Sequence, residues 1–226
     1  MGKLSIPQKI LREAARLLEM EKWLDSPVFQ RRADCLYQRL SEVTAGRGRM
    51  ITLPVSVGGD ALDFGAFRIK SRDLCRIFAH CRSCALMAVT LGPGVDRLMD
   101  RVQKEDMADA VLLDSIASAE AENLCDVTER SLGLKLPEGQ YPTMRFSPGY
   151  GDVPLMASGY ILSVLGVRGD MGISMTDSYM LVPVKSITAF IGISDRPEPR
   201  GRSCDGCAMA DRCSYKKKGE ICGVQN

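Results

Sequence analysis

The chain opens with two amphipathic helical stretches, and nowhere downstream does strand alternate with helix in the regular rhythm that a parallel sheet requires. The first stretch, residues 7–24, sets Ile10, Leu11, Ala14, Leu17 and Leu18 on one face; the second, residues 27–44, does the same with Ala33, Leu36, Tyr37, Leu40 and Val43. Each begins with a proline near its first turn behind a serine. That suits a helix start, where the N–H that proline lacks would have had no partner. Gly46 and Gly48 close this helical region. Residues 51–57 and 62–69 then read as strands around Gly58-Gly59-Asp60, the composition of a hairpin turn. Ser71 predicts the cap of a helix reaching about His80, residues 85–91 a buried strand, and Gly92-Pro93-Gly94 a turn. Helical signals run over 95–130, with a break near Asp106 and a stop at Gly133. Asp152 predicts the cap of a helix over 153–165, and 179–193 a strand interrupted at Pro183. Elements arriving in runs predict an α+β fold, with helices packed on a mixed, mainly antiparallel sheet.

At 226 residues and 45% hydrophobic, the chain is long enough to bury a substantial core. A net charge of +2, with no clustered basic face and no acidic block, argues against nucleic-acid binding. No apolar run reaches membrane-spanning length, which argues against a membrane partner. Lys3, Pro7, Gln8 and Lys9 stand where a secretory signal would need its apolar stretch, so a cytoplasmic location is expected. In that compartment the nine cysteines are expected to be reduced thiols or metal ligands, not disulfides. The single histidine, His80, leaves little room for triad or histidine-rich metal chemistry. No side chain is therefore singled out as catalytic, and the hard chemistry is expected to come from a cofactor.

The residues best suited to hold such a molecule form the run Arg145-Phe146-Ser147-Pro148-Gly149-Tyr150-Gly151-Asp152. Pro148 fixes its own φ and Gly149 has access to positive φ, so the backbone can turn sharply and approach a ligand closely. Arg145 offers a planar fork for a carboxylate, and Tyr150 offers a ring face for a cation and a hydroxyl for one hydrogen bond. An ordinary surface turn is the plain reading of the same residues.

These residues resemble the Arg-x-x-Pro-Gly-Tyr signature of the S-adenosylmethionine-binding reactivation domain of cobalamin-dependent methionine synthase. Further on, Met175-Thr176-Asp177-Ser178-Tyr179-Met180-Leu181-Val182-Pro183 is similar to that family's Leu-Thr-Glu-Ser-x-x-Met-x-Pro segment, with Asp177 in place of the glutamate. Phe190-Ile191 stands where the methionine-synthase form has Trp-Tyr, and Thr90-Leu91-Gly92 and the helix through Asp114, Ser118 and Glu122 are similar to stand-alone members. The resemblance implies a methionine synthase activation domain-like fold over 1–195, residues 1–48 being its helical N-terminal part. It further implies a reactivation module that supports reductive methylation of cob(II)alamin in trans, as a component of methionine biosynthesis. Arg145 would hold the methionyl carboxylate of S-adenosylmethionine, Ser147 and Gly149 would contact it through their backbone, and Tyr150 would lie near the sulfonium. Glu122, or Glu120 two residues before it, would meet the ribose or the α-amino group. The cobalamin would be carried by a partner, either methionine synthase or another corrinoid protein, with a flavodoxin or ferredoxin as electron donor. A Rossmann-type methyltransferase is the weaker reading, because no glycine-rich loop follows a strand.

A polar, proline-rich linker starts after Ser194, and residues 196–226 form a Cys-rich tail. Within it Cys204-x2-Cys207 is followed by Cys213 and Cys222, with almost no large apolar side chains between. Metal coordination would supply the folding energy such a segment lacks. Zinc would make a closed structural site and an iron-sulfur cluster an electron carrier, and spacing does not choose between them. An iron-sulfur or zinc protein with a scaffold or electron-transfer role toward a corrinoid methyltransferase is the alternative function. Lys216-Lys217-Lys218 reads as a solvated run. Cys75, His80, Cys81 and Cys84 form a second constellation, read as small core residues with His80 structural or at the surface.

Overall fold

Ser26 and Pro27 start their helix as the sequence predicts, with the Ser26 side chain accepting from the Phe29 N–H and Pro27 in the first turn. The structure, a computed structural model, describes residues 4–133, 136–198, 211, 212 and 214–217. In chain order its elements are α1 (Gln8–Leu17), α2 (Pro27–Val43), β1 (Arg47–Pro54), β2 (Ser56–Gly58), β3 (Ala61–Asp63), β4 (Arg68–Lys70), α3 (Arg72–Ile77), β5 (Cys81–Thr90), α4 (Pro93–Glu105), α5 (Met107–Gly133), β6 (Tyr141–Pro142), α6 (Ala157–Leu165), β7 (Ser174–Met175), β8 (Leu181–Val182), β9 (Ser186–Ser194) and α7 (Ser214–Lys217). The main sheet runs β1-β5-β9-β6; β2-β3-β4 form a second sheet and β7-β8 a hairpin. The pairings β2 with β3, β3 with β4, β6 with β9 and β7 with β8 are all antiparallel, and the fold is α+β. Two compact units divide the chain, each built from three separate stretches. One takes Met1–Arg49, Ala88–Arg130 and Gly166–Ile187, the other Met50–Met87, Ser131–Leu165 and Thr188–Asn226.

The first unit is mainly helical. Its core collects the apolar stripes of α1, α2, α4 and α5, including Ile10, Leu11, Leu36, Leu40, Val102 and Leu113. Burying each such side chain contributes about 1.5–3 kcal/mol. α1 is shorter than its hydrophobic period predicts. Glu19 takes φ 54, and the Met20 N–H donates to the Ala15 carbonyl, so the helix ends at Leu17 and that leucine stays exposed. Its start also differs: Pro7 occupies the cap position and no side chain caps it. Gly92-Pro93-Gly94 opens α4 instead of merely turning. Pro93 sits in the first turn, and a Cβ on Gly94 would lie 2.4 Å from the Val43 carbonyl oxygen, so only glycine lets α4 approach the end of α2 this closely. The expected break falls at Asp106, whose carboxylate accepts from the Asp109 N–H at 2.9 Å and starts α5. Arg32 of α2 bridges Asp106 and Asp109 there.

The second unit holds the β2-β3-β4 sheet, α3 and α6. Gly58 pairs with Ala61 across the predicted turn at Gly59-Asp60, where Gly59 has φ 63. The expected strand over 62–69 is split: Gly65 takes φ 78, the Phe64 N–H bonds to the Phe67 carbonyl, and only 68–70 resume as strand. Ser71 caps α3 by accepting from the Leu74 N–H at 3.0 Å. Phe64, Phe67 and Tyr160 stack in series, with centroids 4.5 and 5.3 Å apart, and Phe64 leans on Phe190 at 5.8 Å. Among the described residues, no helix is long and apolar enough to cross a membrane.

Candidate ligand-binding site

The run that sequence singles out belongs to the second unit and begins as an extension of the sheet. Thr143 N–H donates to the Gly192 carbonyl at 2.8 Å, and Phe146 and Phe190 exchange a reciprocal pair of backbone bonds of 2.9 and 2.8 Å. Arg145 sits between these anchors, half-buried, on backbone held from both sides. After Phe146 the chain turns. The Tyr150 N–H bonds to the Ser147 carbonyl and the Gly149 N–H to the Val153 carbonyl, with Gly149 at φ 91. A Cβ on Gly149 would lie 2.7 Å from Leu155 Cδ2, so close approach and backbone conformation both favour glycine here. Pro148 is buried under the turn, while Tyr150 stays 65% exposed with its ring set edge-on to Phe146 at 6.5 Å. The loop therefore combines a half-buried arginine, a fixed glycine-dependent turn and an accessible aromatic ring within six residues.

Asp152 corrects the sequence reading. It does not cap a helix over 153–165, because α6 begins only at Ala157 after a series of tight turns through Pro154, Leu155 and Met156. Its carboxylate reaches the start of α3 instead, accepting from the Ser71 hydroxyl, from the Arg72 N–H at 2.7 Å and from the Asp73 N–H at 3.3 Å. Burial pushes its pKa upward, but the hydrogen bonds from Ser71, Arg72 and Asp73 win and hold it below the usual carboxylate range. Beside it Gly151 has φ 53, and a Cβ there would fall 2.1 Å from Asp73 Oδ2. Ser71 and Asp152 lie 81 positions apart, so no local pattern could have paired them.

Glu122 belongs to the first unit, as do residues 175–183. Along the row Asp114, Ser118, Glu122 and Asp126 every residue is partly buried. Lys185 Nζ donates to Asp114 Oδ1 and to Ser118 Oγ, both at 2.8 Å, and Lys9 pairs with Asp126 at 2.7 Å. Lys185 carries no sequence signal of this role, being a lone lysine two residues after Pro183. Glu120 faces another side of α5. Burial raises its pKa, partly offset by a hydrogen bond with Asn123, and its charge raises the Tyr37 phenol. Its Oε2 is buried without a hydrogen-bond partner. Residues 174–182 form the β7-β8 hairpin, closed by Thr176, which bonds Met180 through both backbone and hydroxyl and leaves Tyr179 at φ 64. Asp177 is exposed at its tip, whereas Phe190 and Ile191 are fully buried in β9.

The thiol constellation separates. Cys84 is fully buried and Cys81 buried at the start of β5, while Cys75 is half-buried and His80 exposed. Burial pushes the Cys81 thiol up to about 12, reinforced by Glu198 and Asp195, and burial raises Cys84 as well. Both are packed as small residues in the core, and burial disfavours their thiolates. The metal-ligand candidates Cys204, Cys207, Cys213 and Cys222 lie outside the described residues.

Comparison with known proteins bears directly on this arrangement. No curated protein matches the chain. The solved structure titled "Crystal Structure of the MetH Reactivation Domain bound to AdoHcy" matches with a TM-score of 0.60 at 16% identity, covering 98% of this chain and 87% of that one, which establishes a shared fold. Residues 79–200 match the family model "Vitamin B12 dependent methionine synthase, activation domain". That span exceeds half of the chain and runs from β5 through the Arg145 loop and the β7-β8 hairpin to the end of β9. With fold and motif-bearing segments matched together, the chain belongs to the vitamin B12-dependent methionine synthase activation-domain family.

Proposed function

We propose that the protein is an S-adenosylmethionine-binding reactivation module that serves, in trans, a corrinoid carried by methionine synthase or by another corrinoid protein. The observation that carries this reading is the Arg145 loop, which combines a half-buried guanidinium, a glycine-dependent turn and an exposed aromatic ring. The donor set fits the ligand. A guanidinium matches a carboxylate bidentately, the turn at Ser147 and Gly149 allows close approach of backbone to a ligand, and the Tyr150 ring suits a sulfonium cation. When bound, S-adenosylmethionine supplies a methyl group on a positively charged sulfur. The chain's own residues bind that molecule, orient it and exclude water.

Calorimetric titration of the protein with S-adenosylmethionine tests the reading. Saturable binding is expected, weakened about 100-fold by Arg145→Ala through loss of a charged bidentate contact. Absence of binding by the unaltered protein would sink the proposal. Addition of a corrinoid protein with a flavodoxin or ferredoxin class donor then reads the trans role, as regain of methylcobalamin absorbance.

A second reading concerns the tail and is favoured by the spacing of Cys204, Cys207, Cys213 and Cys222. These thiolates are proposed to hold one soft metal centre, zinc or an iron-sulfur cluster. Anaerobic metal analysis with a visible spectrum distinguishes the two, and metal-free protein with four reactive thiols would rule out both.

A further inference from the structure

We propose that Asp152 is the positioning residue of the loop over 145–151: its carboxylate clamps the downstream end of the loop onto the start of α3 and so fixes the backbone at Ser147 and Gly149. The functional half of this inference rests on the reading above that the loop binds a ligand.

The upstream end of the loop needs no further support, since Phe146 is tied to Phe190 of β9 by two backbone bonds. The bonds inside the turn, Gly149 N–H to Val153 and Tyr150 N–H to Ser147, hold its shape but attach it to nothing else. Pro148 and Val153 are buried, yet apolar contacts are non-directional and tolerate a slide. Directional attachment comes from Asp152. Leu74 N–H already donates to Ser71 Oγ, so the Ser71 hydroxyl proton is left for the Asp152 carboxylate. The Arg72 and Asp73 amides belong to the first turn of α3 and have no partner within their own helix. Three donors thus converge on one acceptor-only group, whose negative charge also suits a helix start. Gly151 completes the fit, because its φ of 53 favours glycine and a Cβ there would force the Asp73 carboxylate to swing aside.

The test uses the full chain and compares the unaltered protein with Asp152→Ala and Asp152→Asn. S-adenosylmethionine affinity is read by calorimetry, and amide hydrogen exchange is read at Phe146, Gly149, Tyr150 and Val153. Asp152→Ala is expected to weaken binding about tenfold and to speed exchange at Gly149, Tyr150 and Val153, while Phe146 and β5 remain slow. Asp152→Asn keeps one acceptor oxygen and is expected to fall between the two. Unchanged affinity together with unchanged exchange overturns the proposal. Faster exchange throughout β5 and β9 also overturns it, because that would mark a general loss of stability. If the unaltered protein binds no S-adenosylmethionine, the ligand reading fails and exchange alone decides: a rise confined to the loop upholds the clamp, and no rise removes it.

Discussion

At Glu120 the protein keeps a carboxylate oxygen buried without a partner, and burial raises its pKa. A carboxyl group that protonates more easily folded than unfolded stabilises the fold in acid and loses that contribution as pH rises through its folded value. Glu120→Gln should therefore melt at a higher temperature than the unaltered protein near pH 8 and at nearly the same temperature near pH 4, where both side chains are neutral. The gain at the higher pH should be about 0.5 kcal/mol, after allowing for solvent screening at the open edge of the group. A gain that persists unchanged at the lower pH would mean that packing, not charge, causes it. Gly149 poses the opposite problem, with a backbone at φ 91 and Leu155 in the way of any side chain. Gly149→Ala should cost about 1–2 kcal/mol in urea unfolding and weaken S-adenosylmethionine binding. Retention of both stability and binding would show that the turn can be rebuilt without glycine.

Among the elements, α4 tests how far one glycine sets helix packing. Alanine at Gly94 would gain about 1 kcal/mol in helix propensity. The new methyl would also press against the Val43 backbone oxygen at 2.4 Å, which cannot rotate away as a side chain could. The steric term should win, and Gly94→Ala is expected to be destabilising by about 1–2 kcal/mol net; a more stable variant would show that α2 and α4 separate easily. Elements were legible where their signals were local: Ser26 with Pro27, Ser71, the Asp106 break and the Gly59-Asp60 turn all lie within a few residues of what they control. The end of α1 was not legible, because Glu19 adopts positive φ without being glycine and the apolar period runs on past it. The same limit hid the partner of Asp152. An aspartate directly before the apolar run that starts at Val153 reads as a local cap, whereas its actual partners are supplied by a helix distant in sequence. The composition of the candidate site could thus be read from the chain, but what holds it in place could not.

For the molecule as a whole, the linker after Ser194 divides what is proposed to bind S-adenosylmethionine from what is proposed to bind metal. Removing residues 196–226 should leave calorimetric S-adenosylmethionine affinity unchanged and abolish any bound zinc or iron. A truncated protein that fails to fold would place the tail within the core. Ligand at a hundredfold excess over its dissociation constant should stabilise the folded state by about 2.7 kcal/mol, visible as a rise in melting temperature that Arg145→Ala removes. The interleaved composition of the two units has its own consequence for synthesis. Each unit takes its last stretch from beyond residue 165, and β9 straddles Ile187 and Thr188, where the units divide. In the main sheet β9 lies between β5 and β6, both of which are translated before it. A nascent chain on the ribosome therefore carries β5 with one edge unpaired until residue 194 has emerged, and during that interval it depends on slow, sequence-distant closure and on protection from aggregation.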